Sequence, residues 1–116
     1  MPTKIWAHRG ASGYAPENTI PSFKLAVEQK ADGVELDVHM SSDGKLMVIH
    51  DETVDRTSNG SGRVVDMTCQ ELKKLDFSNG MPGYANVRIP TLKEVYGLLK
   101  NTGLTINVEV KCDVVV

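Results

Sequence analysis

The 116-residue sequence predicts an α/β fold, with strands alternating with helices, and three observations carry that expectation. A short apolar run at 4–8 breaks into a glycine-containing loop and then a helix-spaced stretch, so the chain opens strand, helix, strand. Two later segments, 33–40 and 104–111, alternate apolar and polar residues in the same sense. Between them, Thr68-Cys69-Gln70-Glu71 and Thr91-Leu92-Lys93-Glu94 both match the capping box. There a Thr hydroxyl and a Glu carboxylate each satisfy a backbone N–H that the first helical turn leaves unpaired.

Taken in order, Lys4 to His8 is the first strand, and it ends abruptly in Arg9-Gly10-Ala11-Ser12-Gly13. The glycines open backbone conformations closed to other residues and let the chain approach a ligand. His8 and Arg9 stand at the strand's exit. Asn18 or Thr19 then caps a helix with Pro21 in its first turn, and Ile20, Phe23 and Val27 follow at helical spacing until Asp32-Gly33 stops it.

Residues 33–51, GVELDVHMSSDGKLMVIHD, place chemistry-bearing side chains on segments that otherwise read as buried strand. Val34, Leu36 and Val38 share one face, and Glu35, Asp37 and His39 share the other. Such an acidic face is either a solvated edge or the lining of a site. Ser41-Ser42-Asp43-Gly44 is turn chemistry, and with Asp43-Gly44 at the centre of a tight hairpin His50 would stand opposite Asp37. A parallel crossover needs more residues than this stretch offers. Residues 51–66 read as a loop or lid with a short extended piece at Arg63 to Val65.

Helices are expected to start near 69 and 92. Met67 and Leu72 stand where a hydrophobic staple would put them, and Leu92, Val95, Leu98 and Leu99 make an apolar stripe that ends before Gly103. Residues 78–89 have no period and read as loop. In the last segment Leu104, Ile106, Val108 and Val110 share a face, and Thr105, Asn107, Glu109 and Lys111 share the other. In a parallel barrel, polar inward residues at the strands' C-terminal ends form the active site. Glu109 and Lys111 fit that position; each taken singly could equally be a solvated strand face.

Composition excludes several classes. With 41% hydrophobic and 24% charged residues the chain is an ordinary globular one, a single domain at most. No apolar run approaches the roughly 20 residues that cross a bilayer, and MPTKIWAHRG is too short in apolar length for a secretory signal, so a cytoplasmic location is expected. Cys69 and Cys112 show no metal spacing and fit free thiols better than a disulfide. The net charge of −2, with no basic run, argues against nucleic acid as a partner.

AHRGASGYAPENT, then DGVELDVHMSSDGKLMVIHDETVDRT, then PTLKEV and INVEVK, resemble the glycerophosphodiester phosphodiesterase family in order and spacing. The resemblance implies a TIM barrel of the phospholipase-C-like phosphodiesterase type. A complete barrel takes roughly 250 residues, so 1–116 would be the N-terminal half of a (β/α)8 domain. It implies hydrolysis of small-molecule glycerophosphodiesters to an alcohol and sn-glycerol 3-phosphate, with a divalent cation. Residue by residue, His8 and His50 match the family's acid/base pair, Arg9 and Lys111 its phosphate-binding cations, and Glu35, Asp37 and Glu109 its metal-binding carboxylates.

That set is chemically coherent. A phosphodiester is an anion that repels nucleophiles, so positive charge is needed on its non-bridging oxygens. Three carboxylates suit Mg²⁺ or Ca²⁺, while Arg9 can fork onto two oxygens with Lys111 as a point charge beside them. One histidine would take a proton from the attacking hydroxyl and the other would protonate the leaving alkoxide. Two rivals stand beside this reading: a catalytically incomplete half-barrel that binds metal or phosphate or self-associates, and a phosphoinositide-type phospholipase C. Open sheet edges at the first and last strands favour self-association. His39 lies outside the family's pattern and reads as a loop or rim residue, Asn18 as a helix cap, and Asp51 either as an orienter of His50 or as the start of the loop.

Overall fold

Every other strand among the described residues pairs with the one at Gly33–Met40. The structure is a computed structural model that describes residues 6–111. Its elements are β1 (Trp6–His8), α1 (Ile20–Glu28), β2 (Gly33–Met40), β3 (Leu46–Val48), a single 3₁₀ turn at Val64–Asp66, α2 (Cys69–Lys73), α3 (Leu92–Leu99) and β4 (Thr105–Val110). β2 runs parallel to β1, with His8 opposite Glu35, and parallel to β4, with Asp37 opposite Glu109. β3 pairs with β2 antiparallel, Val38 opposite Val48. The parallel part of the sheet therefore has three strands among the described residues, and β3 is a hairpin arm rather than a further parallel strand.

The alternation in β2 decides where the core sits. Val34, Leu36 and Val38 are completely buried against Phe23 and Ala26 of α1 and Val95 and Leu99 of α3. Met47 and Ile49 lie on the opposite side of the hairpin arm, in a second cluster with Val54, Val64, Leu72, Phe77 and Ile89. The long excursion between β3 and α3 thus has a core of its own.

Local chemistry explains the helix starts. Thr68 accepts from the Glu71 N–H at 3.1 Å while Glu71 accepts from the Thr68 N–H at 3.0 Å, and Thr91 and Glu94 repeat the exchange at 3.2 and 2.9 Å. Both helices begin at the expected residues, and Met67 packs with Leu72 in the second cluster. α1 starts after Thr19 but ends at Glu28, short of Asp32-Gly33. Lys30 adopts a left-handed φ of +58°, and the N–H groups of Lys30 and Ala31 close onto the carbonyls of Val27 and Ala26, which is a Schellman ending built without glycine. Gly33 instead opens β2, where a Cβ would fall 2.7 Å from the Trp6 ring and 2.8 Å from the Thr105 carbonyl oxygen.

The hairpin differs from expectation by one residue. Ser41 N–H donates to the Lys45 carbonyl at 2.8 Å, which leaves Ser42-Asp43-Gly44 as a three-residue loop with Gly44 at φ +82°. Ser41 Oγ binds Asp43 Oδ1 at 2.5 Å and accepts from the Lys45 N–H at 2.9 Å, so the serine draws the loop closed one position earlier. Ile49, not His50, is held to Asp37, its N–H donating to the Asp37 carbonyl at 2.9 Å. The extended piece expected at Arg63 to Val65 is limited to a bridge between Thr53 and Arg63; the chain then coils at Val64, whose side chain enters the second cluster.

No helix among the described residues is long and apolar enough to cross a membrane. Cys69 is a free, half-buried thiol, and Cys112 lies outside the described residues, as do Lys4 and Ile5 of the expected first strand.

Candidate active site

Strand parity and register assemble the carboxylates. Asp37 and Glu109 are direct neighbours across the β2–β4 ladder, and Glu35 lies two residues back on the same face. One oxygen from each of the three lies within 4.8 Å of the others. Glu35 Oε1 and Asp37 Oδ1 are buried and have no hydrogen-bond partner, although a buried carboxylate oxygen is costly to leave bare. Two orphaned oxygens beside a third carboxylate fit a hard divalent cation that takes oxygen ligands. Three further oxygens are engaged. Glu35 Oε2 lies 3.1 Å from His8 Nε2, Asp37 Oδ2 accepts from Asn18 Nδ2 at 3.2 Å, and Glu109 Oε1 accepts from Lys111 Nζ at 2.9 Å. The Lys111 hydrogen bond and charge hold the Glu109 carboxyl below its usual range, and the same contact raises Lys111.

The loop after β1 is wound tightly onto this face. Arg9 has a left-handed φ of +55°; its N–H donates to the Glu35 carbonyl and its own carbonyl accepts from the Asn18 N–H, both at 2.8 Å. A side chain at Gly10, φ +75°, would collide with Ser22, so a glycine is required there. A non-glycine residue held at positive φ by two backbone bonds is a local cost that recurs at functional sites. It sets the Arg9 guanidinium with Nε 3.6 Å from Asp37 Oδ2 and Nη1 donating to Glu17 Oε2 at 3.2 Å. Asn18 is not the helix cap: Thr19 holds that place, while Asn18, buried at φ +55°, spends its amide on Asp37.

His50 arrives by another route. It follows β3 at a bend, and its carbonyl accepts from His39 Nε2 at 2.9 Å. His39 is therefore a buried β2 residue that secures the His50 backbone, not a rim residue. His50 Nδ1 lies 2.9 Å from Asp51 Oδ1. The Arg56 hydrogen bonds, against some burial and with help from His50, hold Asp51 down at about 2. Arg56 in turn forks onto Glu17, Nη1 to Oε1 at 2.7 Å and Nη2 to Oε2 at 3.0 Å. Burial pushes Glu17 up, but the hydrogen bonds and charge of Arg56 and the charge of Arg9 outweigh it, and Glu17 is lowered. An open polar cleft of about 480 Å³ is lined by His39, His50, Asp51, Glu52, Thr53 and Lys111. His8, Arg9, Glu35, Asp37, His50, Glu109 and Lys111 thus come together at one side of the sheet.

The sequence profile of the glycerophosphoryl diester phosphodiesterase family matches residues 8–116. The chain belongs to that family. A glycerophosphodiester phosphodiesterase of Caldanaerobacter subterraneus subsp. tengcongensis is 52% identical over 116 residues, covering 99% of this chain and 48% of the relative. Among solved structures, a glycerophosphodiester phosphodiesterase from Agrobacterium tumefaciens superposes with a TM-score of 0.90 at 42% identity, covering 97% of this chain and 49% of that one. A phosphodiesterase from Oleispira antarctica, solved with the product sn-glycerol-3-phosphate, does so at 0.89 and 39% identity, covering 96% and 46%. The chain spans about half the length of these relatives. Its fold is accordingly about half of the family's TIM-type barrel, with β1, β2 and β4 as parallel staves.

Three residues that brace this constellation carry no local sequence signal strong enough to mark them. Glu17 and Asn18 lie within the resembling PENT segment, where a helix cap would account for Asn18 and nothing local assigns Glu17 a partner. Arg56 lies in DETVDRT, where a lone arginine looks like a solvated loop cation. Its partner Glu17 is 39 residues away, and no local pattern announces the pair.

Proposed function

We propose that this chain forms the N-terminal half of a domain that hydrolyses glycerophosphodiesters to an alcohol and sn-glycerol 3-phosphate. The observation that carries the reading is the carboxylate trio with two bare buried oxygens, flanked by two cations and two imidazoles. Glu35, Asp37 and Glu109 would hold Mg²⁺ or Ca²⁺, which when bound supplies positive charge against the phosphodiester oxygens. Arg9 and Lys111 bind and orient the same anion. His8 and His50 share the proton traffic, one deprotonating water or the substrate's own glycerol hydroxyl and the other protonating the departing alkoxide. A cytoplasmic location belongs to the same proposal and is tested by cell fractionation.

The test is release of sn-glycerol 3-phosphate from glycerophosphocholine, with added Mg²⁺ or Ca²⁺ and with chelator. Chelator-sensitive release that His50→Ala abolishes is the expected result. Release indifferent to chelator would overturn the metal, and a preference for inositol phosphates would favour the phospholipase C reading.

One observation favours a second reading, in which the chain is incomplete alone and self-associates. Among the described residues β4 pairs only with β2, and Val110 and Tyr96 are exposed. An apolar groove of about 560 Å³ runs past Leu46, Leu92, Ile106 and Val108. Turnover that rises with protein concentration, together with a sedimentation shift, would support association of halves.

A further inference from the structure

We propose that Arg56 is a positioning residue for His50, acting by clamping Asp51 against the Nδ1 side of the imidazole. This rests on the reading of His50 as a proton carrier. The geometry is a chain of alternating charges, Arg9 to Glu17 to Arg56 to Asp51 to His50, with every link at 3.2 Å or less. Arg56 is its centre. It spends Nη1 and Nη2 on the two oxygens of Glu17, and Nε and Nη2 on the two oxygens of Asp51, the latter at 2.9 and 3.1 Å. Only a planar guanidinium can grip two carboxylates by four oxygens at once; an ammonium offers one point of charge.

The consequence for His50 follows from donor counting. Asp51 is ionised and can only accept, so the proton of the neutral imidazole sits on Nδ1 and the Nε2 lone pair is left to take a proton. The backbone on either side does not decide this. His39 fixes the His50 carbonyl, which leaves the ring free to turn. The Asp51 carboxylate belongs to the adjacent residue, and it needs an external partner to stay in one place. Glu17 supplies that anchor from the loop that also carries Arg9, so the histidine and the anion-binding arginine are set relative to each other.

The bland alternative is that Arg56 pins the excursion to the loop before α1. The excursion has independent anchors. Val54 and Val64 are buried in the second cluster, Val54 N–H donates to the Gly62 carbonyl and Val64 N–H to the Glu52 carbonyl. These contacts are made without the guanidinium.

The chain has three histidines, so imidazole ¹⁵N–¹H correlation spectra resolve the tautomer of His50 in Arg56→Ala and Arg56→Lys, at a pH where the ring is neutral. The wild-type chain should show Nδ1–H, and both variants a mixture dominated by Nε2–H. In glycerophosphocholine turnover, Arg56→Lys should lower kcat by about 10- to 100-fold with KM changed less than about twofold. A His50 that stays Nδ1–H in folded Arg56→Lys overturns the proposal. So does loss of the fold in Arg56→Lys, which keeps the charge and would show Arg56 to be structural. Failure of the underlying reading is seen separately: His50→Ala would then keep turnover whatever the tautomer does.

Discussion

β2 and β4 lie side by side with the same alternation, yet their apolar residues end in opposite circumstances. Val34, Leu36 and Val38 of β2 are wholly buried, whereas Val108 and Val110 of β4, on the same face, are 36% and 53% exposed. β2 has neighbours on both edges and helices across its apolar face; among the described residues β4 has a strand, β2, on one edge, and the apolar groove beside it lies open along the flank of α3 and Leu46. Alternation tells which side chains share a face. It does not tell what covers that face, because cover comes from elements elsewhere in the chain or in another one. The carboxylates show the same asymmetry: Asp37 is buried and Glu109 exposed, although they face each other.

The largest expected effect tests this contrast on the apolar side. Leu36→Ala should cost about 2–5 kcal/mol, since the cavity is walled by two helices and cannot collapse. Val108→Ala, at a surface position, should stay within about 0.5 kcal/mol. Urea unfolding of both variants measures the difference. A cost for Val108→Ala approaching that of Leu36→Ala would break the comparison and mean that β4 is covered in solution.

The next effect sharpens it on the acidic side. Glu35→Gln removes charge where an oxygen already lacks a partner, and should weaken Mg²⁺ or Ca²⁺ binding by about 10²-fold or more, since even supporting residues around a metal are worth 10–100-fold. Glu109→Gln should cost less, because Glu109 is exposed and shares its charge with Lys111. Calorimetric titration of the two variants decides the order, and equal losses would mean that Glu109 is as enclosed as Glu35 when metal is bound.

What could be read in advance follows from how local each cause is. The starts of α2 and α3 are set within four residues by Thr and Glu, so they were legible to the residue. The faces of β2 and β4 were legible from parity, and so was the convergence of Glu35, Asp37 and Glu109. The hairpin register was not, because it turns on whether the Ser41 hydroxyl captures Asp43 and the Lys45 N–H, a choice of one residue that moves His50 off Asp37's partner position. His39 looked peripheral because nothing local says that its Nε2 meets the His50 carbonyl. The Arg56–Glu17 pair is tertiary throughout.

Acid reaches a third, smaller effect. Asp51 falls from an ordinary 3.8 to about 2 in the folded chain, so its contribution to stability is fully present above pH 3.8 and is lost as the pH falls through about 2. Such a shift would be worth about 2 kcal/mol if buried, but Arg56 is 46% exposed, and solvent screening reduces it to about 1 kcal/mol. Between pH 4 and 2, Asp51→Asn should therefore flatten the stability curve by about that amount. An unchanged acid limb would place the acid sensitivity in other carboxylates.

The smallest effect on folding is expected where the two strands differ most. Val108→Lys puts a charge on the exposed apolar face of β4, beside the groove formed with Leu46, Leu92 and Tyr96. In an isolated chain the lysine reaches water at little cost, so the melting temperature should shift by no more than a few degrees. If copies of the chain meet through this face, the same charge is buried on association and must be desolvated, which opposes the contact strongly. Sedimentation over a concentration series should then show the wild-type chain associating and Val108→Lys remaining monomeric, with little difference in thermal stability at low concentration. An equal degree of association in both would remove the β4 face from the interface and direct attention to the edge of β1, which among the described residues pairs only with β2. A lysine variant that unfolds outright would contradict the exposure of Val108 on which the contrast between the two strands rests.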